Sequence, residues 1–103
     1  MTQTLLFRPK VRGLSKREHA FDFQFGNTLA DAINPHANAT GRIMKKAGDV
    51  LSGPFTDNRE IMVVIDDRFD LGAAVMERDI ISSHVKAMLF SDLAKRTEHG
   101  ATH

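Results

Sequence analysis

The chain has 103 residues, of which 42% are hydrophobic and 26% charged, a composition that argues against global disorder and is sufficient for one domain. It has no cysteine, which excludes disulfides and thiolate metal sites, and no apolar run near the ~20 residues of a membrane span. The N-terminus is not a secretory signal, so we expect a cytoplasmic protein.

The charges are distributed unevenly along the chain. Residues 1–52 contain eight Lys or Arg and four Asp or Glu, whereas residues 53–103 contain six and nine, for a net charge of +1. Halves of opposite sign favour head-to-tail self-association or two surfaces for different partners. The alternative is a solvated surface whose asymmetry has no function.

The first two apolar segments predict a β-hairpin. Residues 2–11 have apolar side chains at alternate or near-alternate positions, which indicates a strand, and Pro9 places that strand at a sheet edge. In residues 20–25, three phenylalanines alternate with polar residues and are expected to share one face. Residues 13–18 form the turn.

This hairpin is rich in cations. Five lie within ten residues, and two more follow on a predicted helix, so the set could follow the phosphates of a nucleic acid as β-ribbon proteins do. The alternative is a solvated edge strand whose charges prevent edge-to-edge pairing. The candidate nucleic-acid contacts are Arg8, Lys10, Arg12, Lys16, Arg17, Lys45 and Lys46.

Two helices are predicted next. A short one starts at Thr28, because Asp31 is placed as in a capping box, and it ends before Pro35. A longer one covers residues 41–51, where the apolar residues form a single stripe, and glycine and proline at 53 and 54 end it.

Residues 45–56, KKAGDVLSGPFT, resemble a short repeat of bacteriophage tail-fibre proteins, K-A-G-D-x-M/L-S/T-G-P/T-L/F-T. The resemblance covers about a tenth of the chain and occurs once. It suggests a phage or mobile-element origin, and we carry no function over from it.

The second half begins with five apolar residues, Ile61 to Ile65, which predict a strand buried on both faces. The longest helical pattern in the chain follows, from about Asp70 to Arg96. The predicted fold is therefore α+β, with an N-terminal β-hairpin, short helices, one central buried strand and a long C-terminal helix packed on a small sheet. We expect one domain in residues 1–96 and a flexible tail in residues 97–103.

The predicted long helix has two apolar stripes. One can pack on the sheet, so the other needs another helix or another subunit. Alternatively, the helix over residues 41–51 covers it, or a break at Ser82-Ser83 folds both stripes onto one core. The predicted homodimer interface consists of Met76, Ile80, Ala87, Phe90 and Ala94.

Three carboxylates follow the buried strand, and they could hold Mg²⁺ for phosphoryl transfer. The alternative is that Asp66 and Asp67 form a turn while Asp70 caps the next helix. The sequence contains no P-loop, dinucleotide fingerprint, H-E-x-x-H or G-x-S-x-G motif. No metal ligand set and no cofactor is predicted.

By elimination, the first hypothesis for function is a small non-catalytic protein-interaction module. It would be a self-associating adaptor or inhibitor that binds itself, as a homodimer, and another protein. Nucleic-acid binding through the basic hairpin is the second hypothesis, and a magnesium-dependent phosphoryl-transfer enzyme is the third. No membrane partner is expected.

Overall fold

A computed structural model describes the backbone of residues 5–101 and the side chains of residues 5–95. Within this range the chain forms a five-stranded sheet, a two-stranded antiparallel arm and three helices, which confirms the predicted α+β class. None of the helices in this range is long and apolar enough to cross a membrane.

The first four strands form one antiparallel hairpin that bends in the middle. β1 (Leu5–Phe7) pairs with β4 (Phe23–Phe25), and β2 (Lys10–Arg12) pairs with β3 (Glu18–Ala20), in one continuous register. The chain turns at the bend because Arg8 has a positive φ of 53° and a proline follows it. The predicted hairpin is confirmed, with its outer part folded away from the main sheet.

The five-stranded sheet has the order β1-β4-β5-β6-β7. β5 (Thr28–Ile33), β6 (Glu60–Ile65) and β7 (Lys86–Leu89) are parallel. Helix α1 (Ala37–Ser52) connects β5 to β6, α2 (Leu71–Ile81) connects β6 to β7, and α3 (Phe90–Ala101) follows β7 directly. Every residue from 61 to 65 is at most 5% exposed, which confirms the predicted buried strand.

Helices cover both faces of this sheet. Val63 and Ile65 of β6 pack with Ile43 of α1 and Ile81 of α2 on one face. The alternate residues of β6 point to the other face, where Leu93 of α3 packs against their cluster. Apolar side chains on both faces are what a parallel strand between two helical layers requires.

The predicted long helix from Asp70 to Arg96 is wrong. Helix α2 ends at Ile81, and the hydroxyl of Ser83 donates to the carbonyl oxygen of Ile80 at 2.6 Å. The next apolar residues form β7 beside β6, where Met88 and Leu89 are 8% and 5% exposed. A short apolar run suits a helix or a buried strand equally well, and here pairing with β6 decides.

Two other local predictions need correction. The short helix expected from Thr28 is strand β5, in which residues 29–31 are all buried between β4 and β6. The three phenylalanines do not share a face: Phe21 lies at the hairpin bend in the α1-side core, whereas Phe23 and Phe25 belong to the opposite cluster.

The helix predicted over residues 41–51 is confirmed and is longer, since α1 starts at Ala37. The predicted tail, residues 97–103, falls on the last residues of α3 and on residues 102–103, which lie outside the described range. Its flexibility stays a prediction.

Candidate functional site

A cavity of about 770 Å³ lies between the β2–β3 arm, β5 and α1. We call it the groove. It is formed because the arm bends off the sheet at residues 8 and 9 and comes to rest beside α1. Its lining consists of Ser15, Arg17, His19, Asp31, Ile33, Ala39, Arg42, Ile43, Lys45, Lys46 and Asp49.

Helix α1 supplies most of the charged lining. The ionisable residues of α1 that line the groove are Arg42, Lys45, Lys46 and Asp49. The last three follow Arg42 by three, four and seven positions, so all four lie along one side of the helix. The buried residues of α1, at positions 40, 43, 47 and 50, define the side that packs on the core. The amphipathic pattern of the sequence thus directs four ionisable groups toward the groove.

Asp49 fixes the tip of the hairpin arm to α1. Its carboxylate accepts hydrogen bonds from the Ser15 backbone N–H at 2.9 Å, the Ser15 hydroxyl at 2.6 Å and Nε2 of His19 at 2.7 Å. These donors, the Ser15 hydroxyl first, lower the pKa of Asp49 from 3.8 to about 2. A Cβ atom at Gly13 would come within 2.1 Å of this carboxylate, so any other residue there would require the Asp49 side chain to move.

The Ser15–Asp49–His19 cluster is not a nucleophilic triad. In a triad the histidine lies between the serine and the carboxylate, and it takes the hydroxyl proton. Here the carboxylate lies in the middle and the Ser15 hydroxyl donates to it. The cluster therefore braces the hairpin tip, and Asp49, with its lowered pKa, is a weak base for the Ser15 hydroxyl.

The second carboxylate of the groove, Asp31, is buried at 6% exposure. Burial raises its pKa, while Lys46 and the backbone N–H of Asp22 oppose that shift. Lys46 forms an ion pair with Asp31, donates to the carbonyl oxygen of Ala20 at 2.7 Å, and lies 4.6 Å from the ring centre of Phe21. The charge of Lys46 is therefore used inside the fold.

Three cations of the groove have no such partner. Arg17, Arg42 and Lys45 are exposed and form no ion pair with any residue whose side chain is described. The groove is also lined by apolar side chains from positions 33, 39 and 43, which are less exposed than the three cations. The groove therefore combines an apolar floor with a cationic rim.

The seven predicted nucleic-acid contacts lie on several elements of the fold. Arg17, Lys45 and Lys46 line the groove, whereas Lys10 and Arg12 lie on the exposed side of β2. Arg8 lies 3.7 Å from Asp22, and Lys16 is in the turn with a positive φ of 71°. The list also missed Arg42, although its spacing from residues 45, 46 and 49 is visible in the sequence.

The five predicted interface residues lie on three elements and form no single seam. Met76 and Ile80 are exposed on α2, at 62% and 46%. Ala87 is in β7 and packs against the α1-side core. Phe90 and Ala94 are in α3. The seven-residue spacing that suggested the seam requires a continuous helix, and this helix is interrupted by β7.

Each of the three carboxylates after β6 has its own structural partner. Asp66 accepts two hydrogen bonds from the Arg68 guanidinium at 2.9 Å, which lower its pKa to about 2. Asp67 accepts from the hydroxyl and the N–H of Ser91, and Asp70 caps α2. No cluster of three potential metal ligands occurs in the described part of the chain.

An aromatic surface at the end of β6 was not predicted. The Arg68 guanidinium lies 5.4 Å from the ring centre of Phe69 and 5.5 Å from that of Phe90. Phe69 is 89% exposed, the highest value among the exposed large apolar side chains. A cavity of about 330 Å³ adjoins Arg68 and Phe90.

A second apolar surface is the edge strand β1. It pairs with β4 on one side, and no described strand lies on the other. Its three side chains are exposed, with Leu5 at 51%, Leu6 at 46% and Phe7 at 76%. The sequence analysis predicted an edge strand here whose charges prevent edge-to-edge pairing, whereas the three residues of β1 are all apolar.

The segment that resembles the tail-fibre repeat forms the end of α1 and the loop after it. Ala47 and Val50 are buried, and the hydroxyl of Thr56 donates to the carbonyl oxygen of Val50 at 3.0 Å. A Cβ atom at Gly53 would lie 2.8 Å from the backbone nitrogen of Leu14. These contacts explain the residues of the segment by local packing.

Comparisons with protein families, curated proteins and solved structures found no match to this chain.

Proposed function

We propose that the protein is a small non-catalytic interaction module that self-associates through β1. The observation that supports this most is the composition of the strand. Three consecutive apolar side chains are exposed on a sheet edge, where proteins usually place charges, prolines or bulges to prevent pairing. An unpaired apolar edge is a template for another strand.

A second copy of the chain is the occupant that this edge fits best. In an antiparallel pair centred on Leu6, that residue would face Leu6 of the second copy on one face of the sheet. Leu5 would face Phe7 of the second copy on the other face, and the reverse pair would follow by symmetry. Every cross-strand pair would be apolar, as a self-complementary two-fold interface requires.

The aromatic residues beside β1 would enlarge this contact. Leu5 and Phe7 are in register with Phe25 and Phe23 of β4, whose rings stack at 5.5 Å and are only partly buried. The bend at Arg8 and Pro9 ends the edge. A second copy would therefore pair with a short, defined segment, which favours a closed dimer over an open fibre.

Two serine–carboxylate contacts, one of them in the groove, are consistent with a non-catalytic role. The Ser15 hydroxyl donates to Asp49, and the Ser91 hydroxyl donates to Asp67. Both carboxylates have a lowered pKa, so each is a weak base for the hydroxyl that donates to it.

The test is the solution mass by light scattering on wild type, Leu6→Lys and Phe69→Lys. We expect a dimer for wild type, because the edge is self-complementary, and a folded monomer for Leu6→Lys, because a lysine at the centre of the pair places two like charges face to face. Phe69→Lys is the matched control on the other exposed apolar surface, and it should stay dimeric.

Two outcomes would overturn the proposal. One is a wild-type monomer at high protein concentration. The other is a dimer that survives Leu6→Lys and dissociates on Phe69→Lys, which would place the interface at the end of β6. Circular dichroism of each variant checks that the fold is retained, which we expect because both residues are exposed.

A further inference from the structure

We propose that the groove binds a small organic phosphate, namely a phosphate monoester on an apolar body. The groove is formed by the β2–β3 arm, β5 and α1, so this proposal does not depend on pairing through β1. It rests on the balance of charge, on the apolar floor and on the volume of the groove.

The residues that line the groove have a net positive charge. Its lining contains four cations and two carboxylates, a net charge of +2 with His19 neutral. Within the fold, Asp31 forms an ion pair with Lys46, and the charged Asp49 carboxylate is turned toward the donors on the hairpin arm. The charges that remain for a ligand are therefore all positive.

These remaining cations suit a phosphate group. Arg17 and Arg42 each present a planar fork of donors, which matches two phosphate oxygens, and Lys45 adds a mobile point charge. A phosphate monoester has about −1.5 to −2 charges near neutral pH, which is close to the net charge of the lining. A single carboxylate would leave about one positive charge uncompensated.

The floor of the groove adds the second requirement. Ile33 of β5 and two residues of α1, Ala39 and Ile43, line it and are less exposed than the rim cations. A ligand with an apolar body would remove this surface from water, whereas inorganic phosphate would not. The volume of about 770 Å³ is within the range of roughly 300–1,000 Å³ found for small-molecule sites.

A nucleic-acid strand fits this arrangement less well than a small molecule. The other cations of the arm, Lys10 and Arg12, are on the exposed side of β2 while Val11 faces the core. They therefore do not extend the rim of the groove into a continuous track for successive phosphates.

The test is a titration of the isotope-labelled protein with phenyl phosphate, followed by the backbone amide signals. Phenol, inorganic phosphate and a ten-residue oligothymidylate are titrated in parallel. We expect saturable changes at residues 17, 33 and 39–46 with phenyl phosphate, weaker binding of inorganic phosphate and no binding of phenol, because the site needs both the charge and the apolar body.

The variants test which cations bind the ligand. Arg42→Ala combined with Lys45→Ala should weaken the binding of phenyl phosphate by about tenfold or more, because two charge-assisted contacts are removed. Both residues are exposed on α1, and alanine favours helix, so the fold should be retained. Lys86→Ala, at an exposed residue of β7 outside the groove, removes one charge and should leave the affinity unchanged.

Several results would overturn the proposal. They are the absence of saturable changes with phenyl phosphate at millimolar concentration, equal affinity for inorganic phosphate, and an affinity that is insensitive to the double substitution. Tighter, steeply salt-dependent binding of the oligothymidylate would assign the groove to nucleic acid instead.

Discussion

The two edge strands of the five-stranded sheet differ greatly in how far the rest of the chain covers them. At one edge, Met88 and Leu89 of β7 are 8% and 5% exposed because α2 and α3 pack around them. At the other edge, Leu6 and Phe7 of β1 are 46% and 76% exposed. Both strands contain apolar residues, and within the described part of the chain only those of β7 are covered by other elements.

The difference follows from the connections. The parallel strands β5, β6 and β7 need crossover segments, and these helices necessarily pack on the sheet that they connect. β1 and β4 are joined by the hairpin arm, which bends away toward α1 and adds no layer over β1. An uncovered apolar edge in this fold is thus a consequence of hairpin connectivity, and it is available for association.

The largest expected difference in stability is between two variants, each with one leucine truncated at one of the two edges. Leu89→Ala should lower the free energy of unfolding by about 2–5 kcal/mol, because it removes buried methyl groups and leaves a cavity. Leu6→Ala should change the stability of the monomer by no more than about 0.5 kcal/mol. Urea denaturation at low protein concentration measures both, and equal losses would contradict the comparison.

An intermediate effect is expected where α2 is held against α1. The Thr40 hydroxyl donates to the buried Glu77 carboxylate at 2.7 Å. Thr40→Val leaves that carboxylate without this donor and should cost about 1–3 kcal/mol. Thr28→Val on β5 is the matched control and should leave the free energy of unfolding nearly unchanged. If Thr40→Val also left it unchanged, this contact would not be what holds α2 over β7.

The smallest effects concern the hairpin arm that continues from β1, and they depend on pH. Because the folded pKa of Asp49 is lowered to about 2, its contribution is present above pH 3.8 and is lost as the pH falls through 2. The stability difference between wild type and Asp49→Asn should therefore shrink between pH 4 and pH 2 in urea denaturation.

The Asp31→Asn variant serves as a comparison, because its stability difference from wild type should change with pH in the opposite direction. Burial raises the folded pKa of Asp31, so its contribution is fully present below the ordinary value and is lost as the pH rises through the raised one. The stability of wild type relative to Asp31→Asn should then decrease with rising pH. Parallel pH trends for the two variants would contradict the roles assigned to these carboxylates.

Local sequence pattern predicted some elements correctly because their physics is local. Alternation and a turn sufficed for the hairpin, a single apolar stripe for α1, and five consecutive apolar residues for β6. It failed at β5 and β7, where short apolar segments fit a helical period as well as a strand. Neighbouring strands supply the deciding hydrogen bonds there, and their positions are not visible in a linear pattern.

The candidate surfaces, too, were only partly predictable from the local sequence pattern. The helical spacing of residues 42, 45, 46 and 49 was present in the sequence, and it placed four ionisable groups on one side of α1. That two of them would have partners within the fold, Lys46 with Asp31 and Asp49 with the arm, depended on contacts across about 15 to 34 positions of the chain. The predicted dimer seam failed because it assumed one helix where three elements exist.

The sequence by itself therefore determined the α+β class, the hairpin, the amphipathic α1 and the buried β6, since each follows from periodicity over a few residues. The tertiary structure decided which apolar residues are core and which are surface. In the tertiary structure, two helices cover β7, while the side chains of β1 stay exposed. Tertiary contacts also give Lys46 an ion-pair partner, which the three rim cations of the groove lack among the described side chains. Burial and pairing are properties of neighbours in space, and long-range packing sets them.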